Sequence, residues 1–287
     1  MLRLLPSLFT NKLSVFISAE SIAVISILST FSNNKPNKSS IIFTQQPNQS
    51  AWQLAVNQLD SLLADFLPAQ QIKPKTPLQI VLGSDLVRYV ALPAQAISMN
   101  LAEKNAYASA AFKEIHGTNA DDWQVVCDDA APQQAIVAAA IDKKLLQNLS
   151  QLAVSHQLKL KSVKPYLMVA MNGLAKQLAK ATAYLAIVEQ SRLTLILLQQ
   201  GQYQQLHSHV IGGDWQAELK HILLRESVLA DVAYRNVFIV APTHHNATLF
   251  VMNGWHITRI DKAFRATNIN HQGSSEDSRY AMLEAVV

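Results

Sequence analysis

A few groupings in this chain carry residue types that could do chemistry, and each also has a plainer structural role. His207 and His209 lie two apart on a predicted strand, so both project from one face and could share a metal ion. No acidic residue or cysteine stands near them in sequence to complete a ligand set, and a solvated strand face is the expected setting. His244-His245 is a second pair, placed in a loop. Gly212-Gly213-Asp214 opens a predicted helix, where free N–H groups and the positive end of the dipole attract anions. Asp214 would repel such an anion and is expected to cap the helix instead. Cys127 has no identifiable base or orienting partner and reads as a small core residue. Ser84-Asp85 lacks the glycine flanks of a nucleophile elbow and reads as a turn. Asp121-Asp122 and Asp128-Asp129 flank a short strand, where solvated loops explain them better than a bound cation. Arg88 shares a strand face with Leu86, Val90 and Leu92, so it either snorkels along an apolar surface or is buried with a carboxylate. The sequence therefore assigns no catalytic, cofactor-binding or metal-ligating residue.

The elements that position these groups follow from hydrophobic periodicity. Leu13–Ser18 and Ile22–Ser29 read as strands joined at Ala19-Glu20-Ser21, with a third at Ser40–Thr44. Trp52, Ala55, Val56, Leu59, Leu62, Leu63, Phe66 and Leu67 recur at helical spacing, and Pro68 ends that helix. Strands at Leu78–Leu82 and Leu86–Leu92 flank Gly83-Ser84-Asp85. Ser98 can cap a helix running to about Ile115. Trp123–Cys127 and Ala135–Ile141 follow as strands, then a helix over Lys143–Val154, a strand at Leu158–Val163 and a helix over Tyr166–Leu178. A second run begins with strands Ala183–Glu189, Arg192–Leu198 and Tyr203–Val210. A helix from Trp215, a strand at Val237–Ala241, a short helix within His244–Asn253 and a strand at Trp255–Ile260 complete it.

Three strands followed by helix-linked strands thus occur twice. This predicts an α/β protein of two lobes, each a mixed sheet with a three-strand meander plus helices. Residues 1–178 form the first lobe, with an inserted α/β piece at about 94–141. Residues 179–260 form the second, and 261–287 a polar tail in which 268–278 read as disordered.

Composition agrees with large cores: 49% of the 287 residues are hydrophobic and 15% charged, which excludes a disordered chain. The 24 Lys and Arg against 20 Asp and Glu leave a net charge of +4, scattered and without the aromatic interleaving of a nucleic-acid surface. A single cysteine excludes an intramolecular disulfide and suits a reducing compartment. Leu13 to Phe31 is long enough for a membrane span. Glu20 near its middle, its serines and its β-branched residues favour two strands instead. A single-pass anchor over 13–31 is the alternative.

The segment Ile80-Val81-Leu82-Gly83-Ser84-Asp85-Leu86-Val87-Arg88-Tyr89-Val90-Ala91-Leu92-Pro93 resembles a strand–turn–strand in the cytoplasmic domain of GspL-type secretion proteins. Val210-Ile211-Gly212-Gly213-Asp214 resembles the turn that opens a second-lobe helix in PilM-like type IV pilus proteins. With the element order, the resemblance spans about residues 13–260 and implies the actin-like (ribonuclease H-like) fold. The expected absence of a span after the second lobe makes the organisation more like PilM. In actin-like ATPases the first hairpin of each lobe carries an acidic residue and glycines, whose N–H groups wrap phosphates because only glycine permits so close an approach. Here those turns are Ser18-Ala19-Glu20-Ser21 and Val188-Glu189-Gln190-Ser191-Arg192, both without glycine, in a chain holding only 8 glycines. The resemblance implies a non-catalytic cytoplasmic scaffold, peripheral to the inner membrane. It would bind a cytoplasmic segment of a membrane partner in a pilus or type II secretion platform, with no cofactor and no nucleic acid. The rival expectation is a functional nucleotide-binding ATPase.

Overall fold

The computed structural model describes residues 12–27, 37–44, 50–128, 134–230, 234–244, 246–260 and 280–284. Contacts gather the chain into two compact units. The first comprises residues 1–86, 144–166 and 279–287; the second comprises 87–143 and 167–278.

In the first unit β1 (Lys12–Ile17), β2 (Ser21–Ile27) and β3 (Asn37–Ile42) form an antiparallel meander. The segment that had the length of a membrane span is therefore, over 12–27, two paired strands. No helix among the described residues is long and apolar enough to cross a membrane. β4 (Pro77–Leu82) pairs parallel to β1, and β8 (Lys159–Pro165) parallel to β4, giving the order β3-β2-β1-β4-β8. Leu13, Val15, Ile17, Leu78, Ile80 and Leu82 on one face, and Ser14, Phe16 and Val81 on the other, are buried, as expected of a central sheet covered on both faces. Helix α1 (Ala51–Ala69) buries one stripe, Leu54, Ala55, Leu59, Leu62, Leu63 and Phe66. Pro68 lies inside its last turn instead of ending it, and Gln71 follows at φ 51°. Helix α3 (Lys143–Ser155) ends the same way, with Gln157 at φ 55°. Glycine usually fills such left-handed caps; this glycine-poor chain uses glutamine.

The second unit repeats the pattern. β9 (Ala183–Val188), β10 (Arg192–Gln199) and β11 (Gln202–Val210) are an antiparallel meander. β12 (Asn236–Val240) and β13 (His256–Arg259) add in parallel, giving β11-β10-β9-β12-β13. Tyr184, Ala186, Val188, Leu193 and Leu195 meet Trp215, Leu219, Ile222 and Leu223 of α5 (Trp215–Leu229) in one core. The β10–β11 turn places Gln200 at φ 51° and Gly201 at φ 78°, both in the left-handed region that a tight hairpin requires.

This unit also holds a three-stranded sheet, β5 (Arg88–Leu92), β7 (Ile136–Asp142) and β6 (Trp123–Cys127), with β7 central. β4 and β5, read from sequence as one strand–turn–strand, thus belong to different sheets. Helix α2 (Leu101–His116) packs on the small sheet through Ala108 and Phe112. Its cap is Asn100 rather than Ser98, because Glu103 three residues on completes a capping box. Helix α4 (Tyr166–Leu178) matches its expected span. The helix expected within His244–Asn253 is absent from the described residues there. A one-turn 3-10 segment, Pro242–His244, stands at its start. The third strand starts three residues earlier than its sequence suggested. Of the predicted tail, 280–284 are described, with a one-turn helix α6 (Ala281–Glu284) whose Met282 and Leu283 are buried; 268–278 lie outside the described residues.

Candidate functional site

The first hairpin turn is organised by Ser18. Its Oγ accepts from the N–H groups of Ser21 at 2.9 Å and Glu20 at 3.3 Å, and lies 2.8 Å from Ser21 Oγ. The remaining turn N–H, of Ala19, donates to Asp85 Oδ2 at 2.7 Å. β1 and β4 run parallel, so their C-terminal ends lie side by side and the turns that follow them meet. Gly83 N donates to Ile17 O at 2.8 Å, which fixes the second turn against the first. The Ser84-Asp85 turn therefore supplies a carboxylate to the backbone of the first hairpin, which its sequence alone did not suggest.

The second hairpin turn closes through Glu189 N to Arg192 O at 2.8 Å, and Ser191 O accepts from Ile211 N at 3.1 Å. Glu189 is buried. At the start of α5, Asp214 accepts from Ala217 N at 3.1 Å, so it is the N-cap that its position suggested. Glu218 Oε1 accepts the Gly212 N–H at 2.6 Å. The leading amide of this turn thus already faces a carboxylate.

Glu226 is a feature that sequence reasoning missed. It falls on the buried face of α5, in register with Trp215, Leu219, Ile222 and Leu223, and is 3% exposed. Arg225 donates to its Oε1 at 2.7 and 3.1 Å, and His207 Nδ1 lies 3.1 Å from its Oε2. Burial pushes the Glu226 carboxyl up, but Arg225 and His207 together outweigh it and hold the group below the usual carboxylate range. His207 is thus tied to an acid on the helix that follows its strand. His209 stands beside it, ring centroids 6.4 Å apart, with its pKa pushed down by burial first and by Arg225 second. Among the described residues no cluster of three or more His, Cys, Asp or Glu side chains is placed to hold a metal ion.

The other candidates separate. Cys127 is buried, lies 3.4 Å from Lys104 O, and has its thiol pushed up to about 11, mainly by burial. Asp121 pairs with Lys113 at 3.0 Å, and Asp128 accepts from Val137 N at 3.1 Å, so each has a local structural role. Asp129 and His245 lie outside the described residues. His244 lies by Trp215 at 5.6 Å between ring centroids, and burial lowers its pKa. Arg88 is exposed at the start of β5 rather than buried.

No protein-family model matches the chain. No relative matches among curated proteins. Solved structures do share its architecture. It superposes on a chain of the PilM–PilN type IV pilus biogenesis complex with a TM-score of 0.62 and 13% identity, over 96% of this chain and 97% of that one. A Bacteroides thetaiotaomicron protein with an actin-like ATPase fold and unknown function matches at TM-score 0.58 and 11% identity, over 99% of both chains. The cytoplasmic domain of EpsL, an inner-membrane component of the Vibrio cholerae type II secretion system, matches at 0.54 and 9%, over 96% and 95%. The chain has the actin-like fold.

Proposed function

We infer that this protein is a non-catalytic actin-like scaffold of a type IV pilus or type II secretion platform, held at the inner membrane by a partner's cytoplasmic segment. The observation that carries the reading is the end-to-end likeness to a chain of the PilM–PilN complex, with the EpsL cytoplasmic domain beside it. The turns support the non-catalytic part. A triphosphate needs backbone N–H groups directed at open space. Here Ala19 N–H faces Asp85 and Gly212 N–H faces Glu218, and a phosphate brought to either would meet a carboxylate at close range. The residues present therefore do not fit a nucleotide.

Charge also supports recruitment through a partner. Each well-placed basic residue near anionic lipid contributes roughly 1 kcal/mol. A net charge of +4 spread over the chain does not concentrate enough of them. The test is sedimentation with anionic liposomes. The purified protein should stay in solution with bare vesicles. It should pellet with vesicles carrying the inner-membrane protein that co-purifies with it, and lose that binding when the partner's cytoplasmic segment is deleted. Binding to bare vesicles, or binding that survives the deletion, refutes the reading.

A further inference from the structure

We propose that Asp85 is a built-in anion that caps the outward amide of the first hairpin turn, and that truncating its side chain opens a site for inorganic phosphate. This deepens the nucleotide-independent reading and rests on it. The turn Ser18-Ala19-Glu20-Ser21 joins β1 to β2 at the C-terminal end of β1, and successive backbone amides in a turn form a concavity that suits an anion. Three of its four N–H groups are satisfied inside the turn, that of Ser18 by Ser21 O and those of Glu20 and Ser21 by Ser18 Oγ. The fourth, of Ala19, points outward from a residue that is itself 2% exposed. A buried amide without an acceptor is costly, so something must cap it. The cap is Asp85 Oδ2 at 2.7 Å, within the range of a charge-assisted bond.

Asp85 is delivered from 66 residues away along the chain, on a turn pinned by Gly83 N to Ile17 O and Leu86 N to Gly83 O. A carboxylate and a phosphate oxygen make the same demand on an amide: negative charge and a lone pair along the N–H. The contact therefore performs, inside the first unit and permanently, the clasp that an anionic ligand would provide from solution. The first hairpin is held in the ligand-like arrangement whether or not any ligand is present.

The experiment compares wild type, Asp85→Ala and Asp85→Asn by thermal unfolding in potassium phosphate against potassium chloride at matched ionic strength. Wild type sets the baseline for the general stabilisation that excluded anions give. Asp85→Ala should melt lower in chloride and recover in phosphate, with a shift that saturates, because a ligand that binds only the folded state stabilises it. Asp85→Asn should follow the wild-type phosphate response, since its side-chain carbonyl still fills the turn. Equal phosphate shifts in wild type and Asp85→Ala, or unchanged melting of Asp85→Ala in chloride, overturn the proposal. If Asp85→Ala does not fold, the Ala19 amide proton in wild type decides. It should titrate with the Asp85 carboxyl by NMR, and an Ala19 resonance that ignores that ionisation overturns the proposal. Liposome recruitment by a partner is read separately, so a failure of this proposal is told apart from a failure of the scaffold reading.

Discussion

Glu218 reaches back six residues to accept the Gly212 N–H at 2.6 Å, while Asp214 between them caps Ala217 at 3.1 Å. Two carboxylates thus complement the positive end of α5 and leave its leading glycine turn no need of an external anion. Glu218→Ala removes one of these bonds and should lower stability by about 1 kcal/mol, the usual worth of a helix N-terminal contact. A urea titration should show the midpoint falling with an unchanged slope. An unchanged midpoint would mean that the contact contributes nothing in solution.

The alternation of the two meanders was legible in the sequence because buried strands such as Ala183–Val188 run as unbroken apolar stretches. The twice-repeated order was enough to suggest the fold. Pairing across distance was not legible. Asp85 looks like any turn aspartate until β1 and β4 are known to be parallel neighbours. Glu226 carried a usable signal, since it continues the apolar stripe of α5 by helical spacing, but charge alone suggested an exposed position. The Asn100 cap was readable from Glu103, whereas Ser98 drew attention only by residue type.

Glu226 and His209 make stability pH-dependent, in the same direction. His209 has its folded pKa below the ordinary 6.5, so its stabilisation is complete above about that pH and is lost as the pH falls toward the folded value. Glu226 has its folded pKa below 4.5, so its contribution is present above that pH and is lost at still lower pH. Unfolding free energy measured from pH 8 to 3 should therefore decline in two stages. His209→Gln should make the upper stage shallower, the remainder belonging to His244, whose pKa is lowered in the same way. Glu226→Gln should flatten the lower stage and cost roughly 1–3 kcal/mol at pH 7, through the lost charge-assisted bonds to Arg225 and His207. A flat wild-type profile would rule out both assignments.

Gly201 closes the β10–β11 hairpin at φ 78°, and a Cβ there would lie 2.3 Å from Ala179 O. That contact is with backbone, which cannot step aside as a side chain could. Gly201→Ala should cost about 2 kcal/mol or more by denaturant unfolding, adding steric overlap to the left-handed penalty. Gln200→Gly, next to it at φ 51°, should instead be neutral or stabilising, since it relieves a left-handed glutamine.

Independence from nucleotide is the claim on which the scaffold reading turns, and calorimetric titration of ATP·Mg into the purified wild-type protein tests it most directly. With Ala19 N–H and Gly212 N–H already committed to Asp85 and Glu218, the titration should show no saturable heat at millimolar ATP. Thermal unfolding should be the same with and without the nucleotide. A saturable isotherm at micromolar ATP, accompanied by a rise in melting temperature, would contradict the account and make this chain a nucleotide-binding member of the actin-like fold.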